Sequence, residues 1–472
     1  MGKCVLLSIA LLPAPLLAQP ERKAQPLAIT HVTVIDATGS AAQPDMTVLT
    51  SDGRVAALGR TGQVTIPDIA QVVDAKGKFL IPGLWDMHVH WYTKNYLPLF
   101  TANGVTGIRL MFGAPVHLAW RKELAQESLL GPRMVLASRI VDGPKPIWPN
   151  SIAVSTADEG RRAVATSRKE GYDFVKVYSL LPREAYFAIA AEAKKQSIPF
   201  AGHVPLSISA AEASDAGQRS IEHLTGVLLG CSSQEEELHK ELAEMLKRSS
   251  SYDRALVRRV EDKCLNSYDE EKAAGLFARF AKNGTWQAPT LTVLRAMAYL
   301  DDEKFIKDPR LKYLPPGLRA QWNPKNDFRL KNYTKQDFAQ SKVVFKKQLE
   351  LVGAMRRAGV GMLAGTDVLN PFCFPGFSLH DELELLVKAG LTSMEALQAA
   401  TLNPAKYLDQ LKDFGTIEQG KMADLVLLDA DPLTDIRNTR KIAAVVVAGK
   451  LLDKEELQKK LADVEAAANK KW

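Results

Sequence analysis

Short apolar runs alternate with helical patterns through the middle of the chain. Runs bounded by Gly, Pro or polar residues predict strands, and apolar residues at every third or fourth position predict helices. The predicted strands cover residues 79–88, 105–110, 134–139, 173–178, 199–203, 220–223, 286–289 and 360–366. The helical patterns cover residues 158–170, 183–195, 276–282, 340–357 and 379–388. Because strands that alternate with helices run in parallel, the pattern predicts an α/β fold with a closed (β/α)8 TIM barrel over residues 79–410.

Both ends of the chain are richer in strand patterns than the middle. Alternating β-branched and polar residues occupy residues 28–34 and 45–58, and apolar runs occupy residues 423–428 and 442–447. The pattern predicts a small β-sandwich domain assembled from residues 19–78 and 411–452, on either side of the barrel. Residues 453–472 then form a helical tail.

Two long polar segments, residues 232–274 and 301–335, interrupt the strand and helix pattern of the predicted barrel. Insertions in barrels commonly decorate the face formed by the loops that follow the strands, so these segments are candidates for walls or lids of a substrate pocket. Surface helices without a catalytic part are the alternative interpretation.

The first eighteen residues differ from the rest of the chain. Lys3 precedes an almost uncharged run that ends at Ala18, a pattern typical of a secretory signal peptide cleaved after Ala18. A membrane anchor or buried helix is the alternative, but Pro13 and Pro15 in so short a run count against it. We therefore expect a secreted or periplasmic protein without a membrane span after cleavage.

Composition narrows the class of protein. With 472 residues and 46% hydrophobic residues, the chain is long enough and apolar enough for a globular enzyme. Its net charge of +7 is spread without a basic block, which argues against nucleic acid as a partner. In an oxidising compartment Cys231 and Cys264 are candidates to pair, with Cys373 left over. The sequence leaves that pairing open, and a homo-oligomer as well.

His88 and His90 follow an apolar run in the first predicted barrel strand. Side chains alternate along a strand, so the two imidazoles project to the same side and suit one metal ion. A chance pair on the surface is the alternative, but His203, His223 and Asp367 also end predicted strands. Active sites of such barrels lie at the C-terminal ends of the strands. The joint placement predicts a metal site at that face.

Lys176 lies in the middle of the apolar strand 173–178. An ammonium group is costly to bury, so the position calls for a special reason. One interpretation is a lysine that reaches solvent or pairs with a nearby acid. The interpretation we favour is that Lys176 reacts with carbon dioxide to form a carbamate, an anionic oxygen ligand that can bridge two cations.

Several motifs along the chain resemble the amidohydrolase superfamily, and specifically its imidazolonepropionase-like and prolidase-like branch. The matching segments are Ile81-Pro82-Gly83-Leu84-Trp85-Asp86-Met87-His88-Val89-His90, Gly104-Val105-Thr106, Lys176, Gly202-His203, Glu222-His223, Gly365-Thr366-Asp367 and residues 415–426. The resemblance implies two divalent metal ions, usually zinc. It implies that His88, His90 and Asp367 hold the more buried ion, that His203 and His223 hold the more exposed ion, and that carboxylated Lys176 bridges them. Such nitrogen and oxygen ligands also admit manganese, cobalt or iron.

The chemistry that follows is hydrolysis of an amide. Two divalent ions share a water and hold it as hydroxide beside the substrate carbonyl, which one ion also polarises. Asp367 is the expected catalytic base, and it passes the proton to the departing amine. Three further residues are candidates for substrate binding: Tyr178 as a donor to the oxyanion or as a packing residue, Arg109 for a substrate carboxylate, and His380 in the pocket wall.

Other hydrolase signatures are missing from the sequence. No Gly-x-Ser-x-Gly elbow and no His-Glu-x-x-His helix occurs, and in the phosphate-loop-like segment 415–422 Met422 stands where Ser or Thr should be. We therefore predict a metal-dependent hydrolase of a dipeptide (Xaa-Pro or similar) or an N-acyl amino acid. The alternatives are a cyclic amide hydrolase, a lactone, ester or phosphotriester hydrolase, and a metal-binding protein without turnover. The presence of Asp367 counts against the last.

Overall fold

The structure, a computed structural model, describes residues 25–126, 128–248, 253–327 and 329–470 of a mixed α/β protein. The predicted signal peptide, residues 1–18, lies outside the described residues. The strands are β1 (Leu27–Val34), β2 (Gln43–Ser51), β3 (Arg54–Arg60), β4 (Gln71–Asp74), β5 (Phe79–Pro82), β6 (Leu84–Val89), β7 (Val105–Leu110), β8 (Arg133–Leu136), β9 (Val141–Asp142), β10 (Ile152–Ala153), β11 (Val175–Val177), β12 (Phe200–Gly202), β13 (Ser220–Glu222), β14 (Trp286–Ala288), β15 (Leu425–Leu428), β16 (Ile442–Val447) and β17 (Lys450–Leu452). The helices are α1 (Leu97–Ala102), α2 (Pro115–Ala125), α3 (Ala157–Glu170), α4 (Arg183–Lys195), α5 (Ala210–Asp215), α6 (Val227–Gly230), α7 (Glu235–Arg248), α8 (Arg254–Asn266), α9 (Glu270–Asn283), α10 (Leu291–Tyr299), α11 (Glu303–Ile306), α12 (Pro316–Gln321), α13 (Lys335–Arg357), α14 (Phe377–Lys388), α15 (Ser393–Ala399), α16 (Leu402–Tyr407) and α17 (Lys454–Ala468), and short 3₁₀ turns cover Lys94–Tyr96, Pro309–Tyr313 and Ile436–Arg440.

Strands from both ends of the chain share one sheet, which we call the end sheet. Its order is β17-β16-β15-β5-β1-β2-β3, and β4 also pairs with β1. Hydrogen bonding joins these strands into one sheet, in which β1 has partners along both edges. The inward side chains of this sheet, among them Leu80 and Leu425, form an apolar core of their own.

The boundary between the end sheet and the parallel strands lies at Gly83, which corrects the expected barrel start at residue 79. β5 pairs antiparallel with β15, and Ile81 lies opposite Val426. The strand that carries His88 begins only at Leu84. At Gly83 the backbone passes so close to Thr106 that a Cβ atom would lie 2.1 Å from its Oγ1, so no side chain fits at the crossing.

The middle of the chain supplies two parallel sheets, with orders β6-β7-β8 and β10-β9-β11-β12-β13-β14. Isolated parallel bridges between Ala137 and Phe174, between Gln287 and Met362 and between Val89 and Val368 connect these sheets with the segment after α13. A strand was expected at residues 360–366, where the structure has only the bridge at Met362. Gly361 and Gly365 interrupt that segment, and glycine weakens a regular strand.

The two inserted segments fold as helices. Residues 232–274 contain α7, α8 and the start of α9, and residues 301–335 contain α11, α12 and a 3₁₀ turn. α8 packs against α6, α7 and α13. The Asp253 carboxylate accepts a hydrogen bond from the Leu256 N–H and so caps the first turn of α8. The described part of the insertion therefore packs against neighbouring helices.

Two further expectations concern the described part of the chain. No helix there is long and apolar enough to cross a membrane. Cys231, Cys264 and Cys373 are buried free thiols, so the disulfide that the sequence left open is not formed in this structure.

Replacing Leu80 with Ala tests the core of the end sheet. Leu80 is fully buried, so we expect a loss of about 2–5 kcal/mol of folding free energy and a lower thermal midpoint. Val72→Ala is the matched control, because Val72 lies on β4 of the same sheet with 56% of its surface exposed. Calorimetry of the two variants measures the difference. Equal midpoints would contradict the assignment of β5 to that core.

Candidate metal centre

Three side chains meet at the ends of β6 and the segment after α13. The Nε2 atoms of His88 and His90 lie 3.3 Å and 2.9 Å from the same oxygen, Oδ1 of Asp367. One nitrogen or oxygen atom from each of the three residues lies within 4.8 Å of the others. The pair at alternate positions of β6 thus converges on one point together with the carboxylate.

The other predicted ligands lie beside this group. The His223 ring is 4.5 Å from the His88 ring and 5.0 Å from the His203 ring, and its Nε2 lies 3.9 Å from Oδ2 of Asp367. Lys176 is buried and lines the same cavity as His90, His203, His223 and Asp367. The structure therefore brings together all six residues that the sequence predicts as metal ligands.

Backbone turns at the strand ends aim two of these side chains. His223 and Asp367 both have a φ of +58°, in the left-handed region that non-glycine residues rarely adopt. His223 follows directly on β13, and Asp367 directly precedes the bridge residue Val368. Such strain is concentrated at functional sites, and here it turns both side chains toward the cavity.

The donor set fits a cation. Among the described residues, the buried polar atoms without a hydrogen-bond partner include Nε2 of His88 and Nε2 of His203. Each such atom costs about 1–3 kcal/mol when it is left unpaired. Their concentration around one carboxylate is accounted for if they coordinate metal, because imidazole and carboxylate are common zinc ligands.

Hydrogen bonds to the opposite ring nitrogens orient the histidines. Nδ1 of His88 lies 2.7 Å from Oε2 of Glu222, and Nδ1 of His203 lies 2.8 Å from Oγ of Ser179. Nδ1 of His223 lies 2.6 Å from Oγ1 of Thr290. Each contact directs Nε2 of its ring into the site, as second partners of metal-binding histidines do. The orienting residues are Glu222, Ser179 and Thr290.

Sequence reasoning missed these three residues as members of the site. Glu222 was recognised only as part of the Glu222-His223 motif, although a charged residue directly before a ligand in an apolar strand was a usable signal. Ser179 and Thr290 carry no comparable signal, since hydroxyl side chains are common at strand ends.

Arg109 has a different role from the one predicted. It is fully buried, and its guanidinium donates to the carbonyl of Met87, to Ser220, to Tyr407 and to both carboxylate oxygens of Glu222. These contacts engage all three guanidinium nitrogens in the protein interior, away from a substrate carboxylate. Arg109 is a positioning residue that holds Glu222 against His88.

The two other substrate-binding candidates, His380 and Tyr178, lie in different surroundings. His380 lies on α14, where Nδ1 is 3.0 Å from Oγ1 of Thr439 and Nε2 is 3.1 Å from the carbonyl of Asn103. It therefore packs against the 3₁₀ turn Ile436–Arg440, which corrects its assignment to the pocket wall. Tyr178 does line the cavity. Its ring stacks on His203 at 3.9 Å, and its hydroxyl accepts a hydrogen bond from Nε1 of Trp148.

Burial sets the protonation of the histidines. It lowers the pKa of His90 and His203 and brings the pKa of His223 to about 3, so these rings are neutral at pH 7, as metal ligands must be. Burial also lowers the pKa of Lys176 to about 8, against the opposing charges of Glu222 and Asp367. Burial alone would raise the pKa of Asp367, but His223 and His88 hold it well below its usual range. The carboxylate is therefore ionised.

A cavity of about 580 Å³ opens over the centre. Besides the ligands it is lined by Tyr92, Phe112, Trp322, Asn370 and Pro371, among others. This volume is in the usual range of about 300–1,000 Å³ for small-molecule sites. The arrangement can therefore present a bound small molecule to the ligands and to the ionised carboxylate.

Comparison with known proteins gives a family match over most of the chain. The model of the amidohydrolase family matches residues 79–452. Among solved structures, the bottromycin amidohydrolase is 24% identical, with a TM-score of 0.73 over 94% of this chain and 91% of that one. A Xaa-Pro dipeptidase with bound methionine in the active site is 19% identical, with a TM-score of 0.66 over 91% of this chain and 100% of that one. At these identities the structures show a shared fold.

Curated relatives match a shorter segment. The imidazolonepropionase of Shouchella clausii is 37% identical over 103 residues, which is 21% of this chain and 23% of that enzyme. The imidazolonepropionase of Pyrobaculum arsenaticum is 44% identical over 80 residues, 16% of this chain and 19% of that enzyme. The chain therefore matches about a fifth of the length of these relatives.

Ser179→Ala and Glu222→Gln test the orienting hydrogen bonds. Ser179→Ala removes the partner of Nδ1 of His203, and Glu222→Gln removes the charge of the partner of Nδ1 of His88, so we expect metal affinity to fall about 10–100-fold, as for other partners of metal-binding histidines. Titration with a chelator followed by elemental analysis measures this. Glu271→Gln, an exposed position on α9, is the control.

The two variants separate orientation from folding. Glu222→Gln also leaves Arg109 buried beside a neutral partner, and it should destabilise the fold, whereas Ser179→Ala should leave the thermal midpoint close to that of the parent protein. Unchanged metal affinity in a folded Ser179→Ala protein would show that His203 needs no such support.

Proposed function

We propose that this chain, which belongs to the amidohydrolase family, is a hydrolase of C–N bonds that uses two divalent cations to hydrolyse the amide bond of a dipeptide or an N-acyl amino acid. The observation that carries this proposal is the position of Asp367. Its Oδ1 meets His88 and His90, and its Oδ2 faces His223. One ionised carboxylate thus touches both groups of ligands.

The proposed centre divides the ligands as follows. His88, His90 and Asp367 would hold one ion, His203 and His223 would hold the other, and Lys176, as a carbamate, would supply an anionic oxygen ligand to the pair. The burial of Lys176 among these residues supports the bridge, since a carbamate turns a cation that is costly to bury into an anionic ligand. Starting from the ammonium group, its formation joins the lysine nitrogen to the carbon of carbon dioxide and releases two protons. Zinc suits these ligands, and manganese, cobalt or iron would also fit.

The architecture we propose for this site is a closed (β/α)8 barrel next to a β-sandwich. The isolated bridges at Ala137, Gln287 and Val89 support closure, because each joins neighbours that a continuous barrel would pair. The separate apolar core of the end sheet supports a sandwich-like fold of that sheet over itself. In such a barrel the six ligands lie at the C-terminal face, where active sites of barrels occur.

The residues of the site divide the work of the reaction. Two divalent cations would supply an activated water and polarise the substrate carbonyl. Asp367 takes the proton of the attacking water on a carboxylate oxygen and passes it to the nitrogen of the departing amine, because an amide anion is a poor leaving group. Tyr178 stands beside His203, where its hydroxyl can face the carbonyl oxygen.

The size of the cavity favours a small amide. A volume of about 580 Å³ suits a molecule of two amino acids better than a folded chain. A cyclic amide is the second candidate, because the curated relatives with local identity are imidazolonepropionases. The two candidates share the centre and differ only in the substrate held over it.

Asp367→Asn tests the catalytic base. The metal-loaded variant should cleave its best dipeptide or N-acyl amino acid about 10²–10⁴-fold more slowly, because an amide side chain cannot take the proton. Amine release measures the rate, and elemental analysis shows that metal remains. Asp463→Asn, at an exposed position of α17, is the control and should match the parent protein.

The substrates tested should include cyclic amides beside the linear ones. Cleavage of cyclic amides alone would contradict the linear substrates and support the cyclic amide. A protein with two bound metals per chain that cleaves no amide, linear or cyclic, would contradict the proposed reaction.

Labelled bicarbonate tests the bridge at Lys176. We expect a ¹³C carbamate signal by NMR in the metal-loaded protein, and its loss in Lys176→Arg together with part of the bound metal. Lys421→Arg is a matched control, because Lys421 is also buried but lies by Thr416 and Glu418. A signal that persists in Lys176→Arg would assign the carbamate to another amine.

A further inference from the structure

A second cavity of about 320 Å³ adjoins the metal centre, and we call it the apolar lobe. At its inner end it is lined by His203, His223 and Asp367. Between that end and the surface its wall includes these apolar side chains: Leu224, Leu228, Leu242, Val257, Val260, Cys264, Val293, Met297, Val344 and Leu351. The lobe is thus a mainly apolar space that starts at the ligands.

The wall of the lobe comes mostly from helices. Val257, Val260 and Cys264 stand three and four positions apart on α8, which places them on one face of that helix. α7 contributes Leu242, and α13 contributes Val344 and Leu351. The inserted segment 232–274, whose role the sequence left open, therefore forms part of this wall.

Most of the polar side chains of the lobe lie where it borders another cavity. Arg254, Glu261 and Gln348 also line a neighbouring cavity, at a border that Val257, Met297 and Val344 share. Arg329 also lines the main cavity over the metal centre. Ser179, Thr225 and His239 are polar residues of the lobe that line neither of the two other cavities. A group that enters from the centre therefore meets mainly hydrocarbon before it reaches the border with the neighbouring cavity.

The lobe and the main cavity share several lining residues, among them Trp148, Tyr178 and Asp367. A substrate whose scissile carbonyl lies beside Asp367 can thus place one substituent in the lobe and keep the rest in the main cavity. This continuity makes the lobe a part of substrate recognition, whereas an unrelated cavity would not reach the reacting atoms.

We propose that the apolar lobe receives a bulky apolar group next to the scissile amide, such as an aromatic ring or a branched aliphatic chain, and so selects the substrate. The inference rests on the proposed amide hydrolysis and names its substrate class. An apolar group gains from leaving water, whereas a polar group of equal size would lose its hydrogen bonds to water. Selection of this kind acts on kcat/KM.

The test uses dipeptides and N-acyl amino acids in which the group on one side of the amide varies. Phenylalanine and leucine are compared with glutamine and glycine at each of the two positions. At one position the parent protein should favour the bulky apolar group by about tenfold or more in kcat/KM, the scale of discrimination that hydrophobic pockets reach. Equal rates for leucine and glutamine at both positions would overturn the inference.

Two tryptophan variants on adjacent positions of α13 locate that preference. Val344 lines the lobe, so Val344→Trp should fill it and cut kcat/KM about tenfold for phenylalanine or leucine substrates while glycine substrates change little. Val343 is 53% exposed, so Val343→Trp is the matched control and should behave as the parent protein. Val257→Phe, on α8, is the second lining variant if Val344→Trp does not fold.

Metal content and thermal midpoint are measured for every variant. A folded, metal-loaded Val344→Trp or Val257→Phe protein that slows glycine and phenylalanine substrates equally would overturn the inference. Failure of the parent protein to cleave any amide would instead refute the proposed reaction, so the two failures are distinguishable.

Discussion

The centre depends on a buried ion pair between Arg109 and Glu222. Both side chains are fully buried, and they join β7 to β13 through two hydrogen bonds of 2.9 Å. Taking two charges out of water costs several kcal/mol per ion, so such a pair persists only when its remaining donors and acceptors are satisfied. Ser220 and Tyr407 accept hydrogen bonds from the guanidinium of Arg109. Nδ1 of His88 lies within hydrogen-bond distance of the Glu222 carboxylate. This polar network thus fixes the orientation of the His88 ring.

A second buried carboxylate places Asp367 opposite that ligand. Asp86 accepts hydrogen bonds from the backbone and hydroxyl of Thr366 and from the backbone of His88. Burial raises the pKa of Asp86 to about 7, against these hydrogen bonds, which stabilise its ionised form. These hydrogen bonds connect β6 with the segment after α13. They therefore fix the spacing between His88 and Asp367. Together the two networks explain how ligands from distant parts of the sequence converge.

The sequence predicted the parts of the fold and site that follow from local pattern. Residues that end apolar strands, such as His203 and His223, meet at one face because parallel strands all point the same way. Arg109 was misjudged because its partner Glu222 is distant in sequence, and only the packed strands show that its donors are used. β5 was joined to β6 because an apolar run does not show where a strand leaves one sheet for another. The lobe needs helices from several segments, so no local pattern marks it.

Chemistry and substrate choice are carried by different parts of the molecule. The ligands stand on short parallel strands and their hydrogen-bonded turns, where a displacement of one side chain disturbs several others. The wall of the apolar lobe includes side chains of α7, α8 and α13, and those that face the lobe are mainly apolar. Apolar packing tolerates substitutions of similar volume at small cost, whereas a metal site does not tolerate the loss of a ligand. If the proposed reaction holds, changes in the inserted helices can therefore alter which amide enters while the metal ligands stay in place.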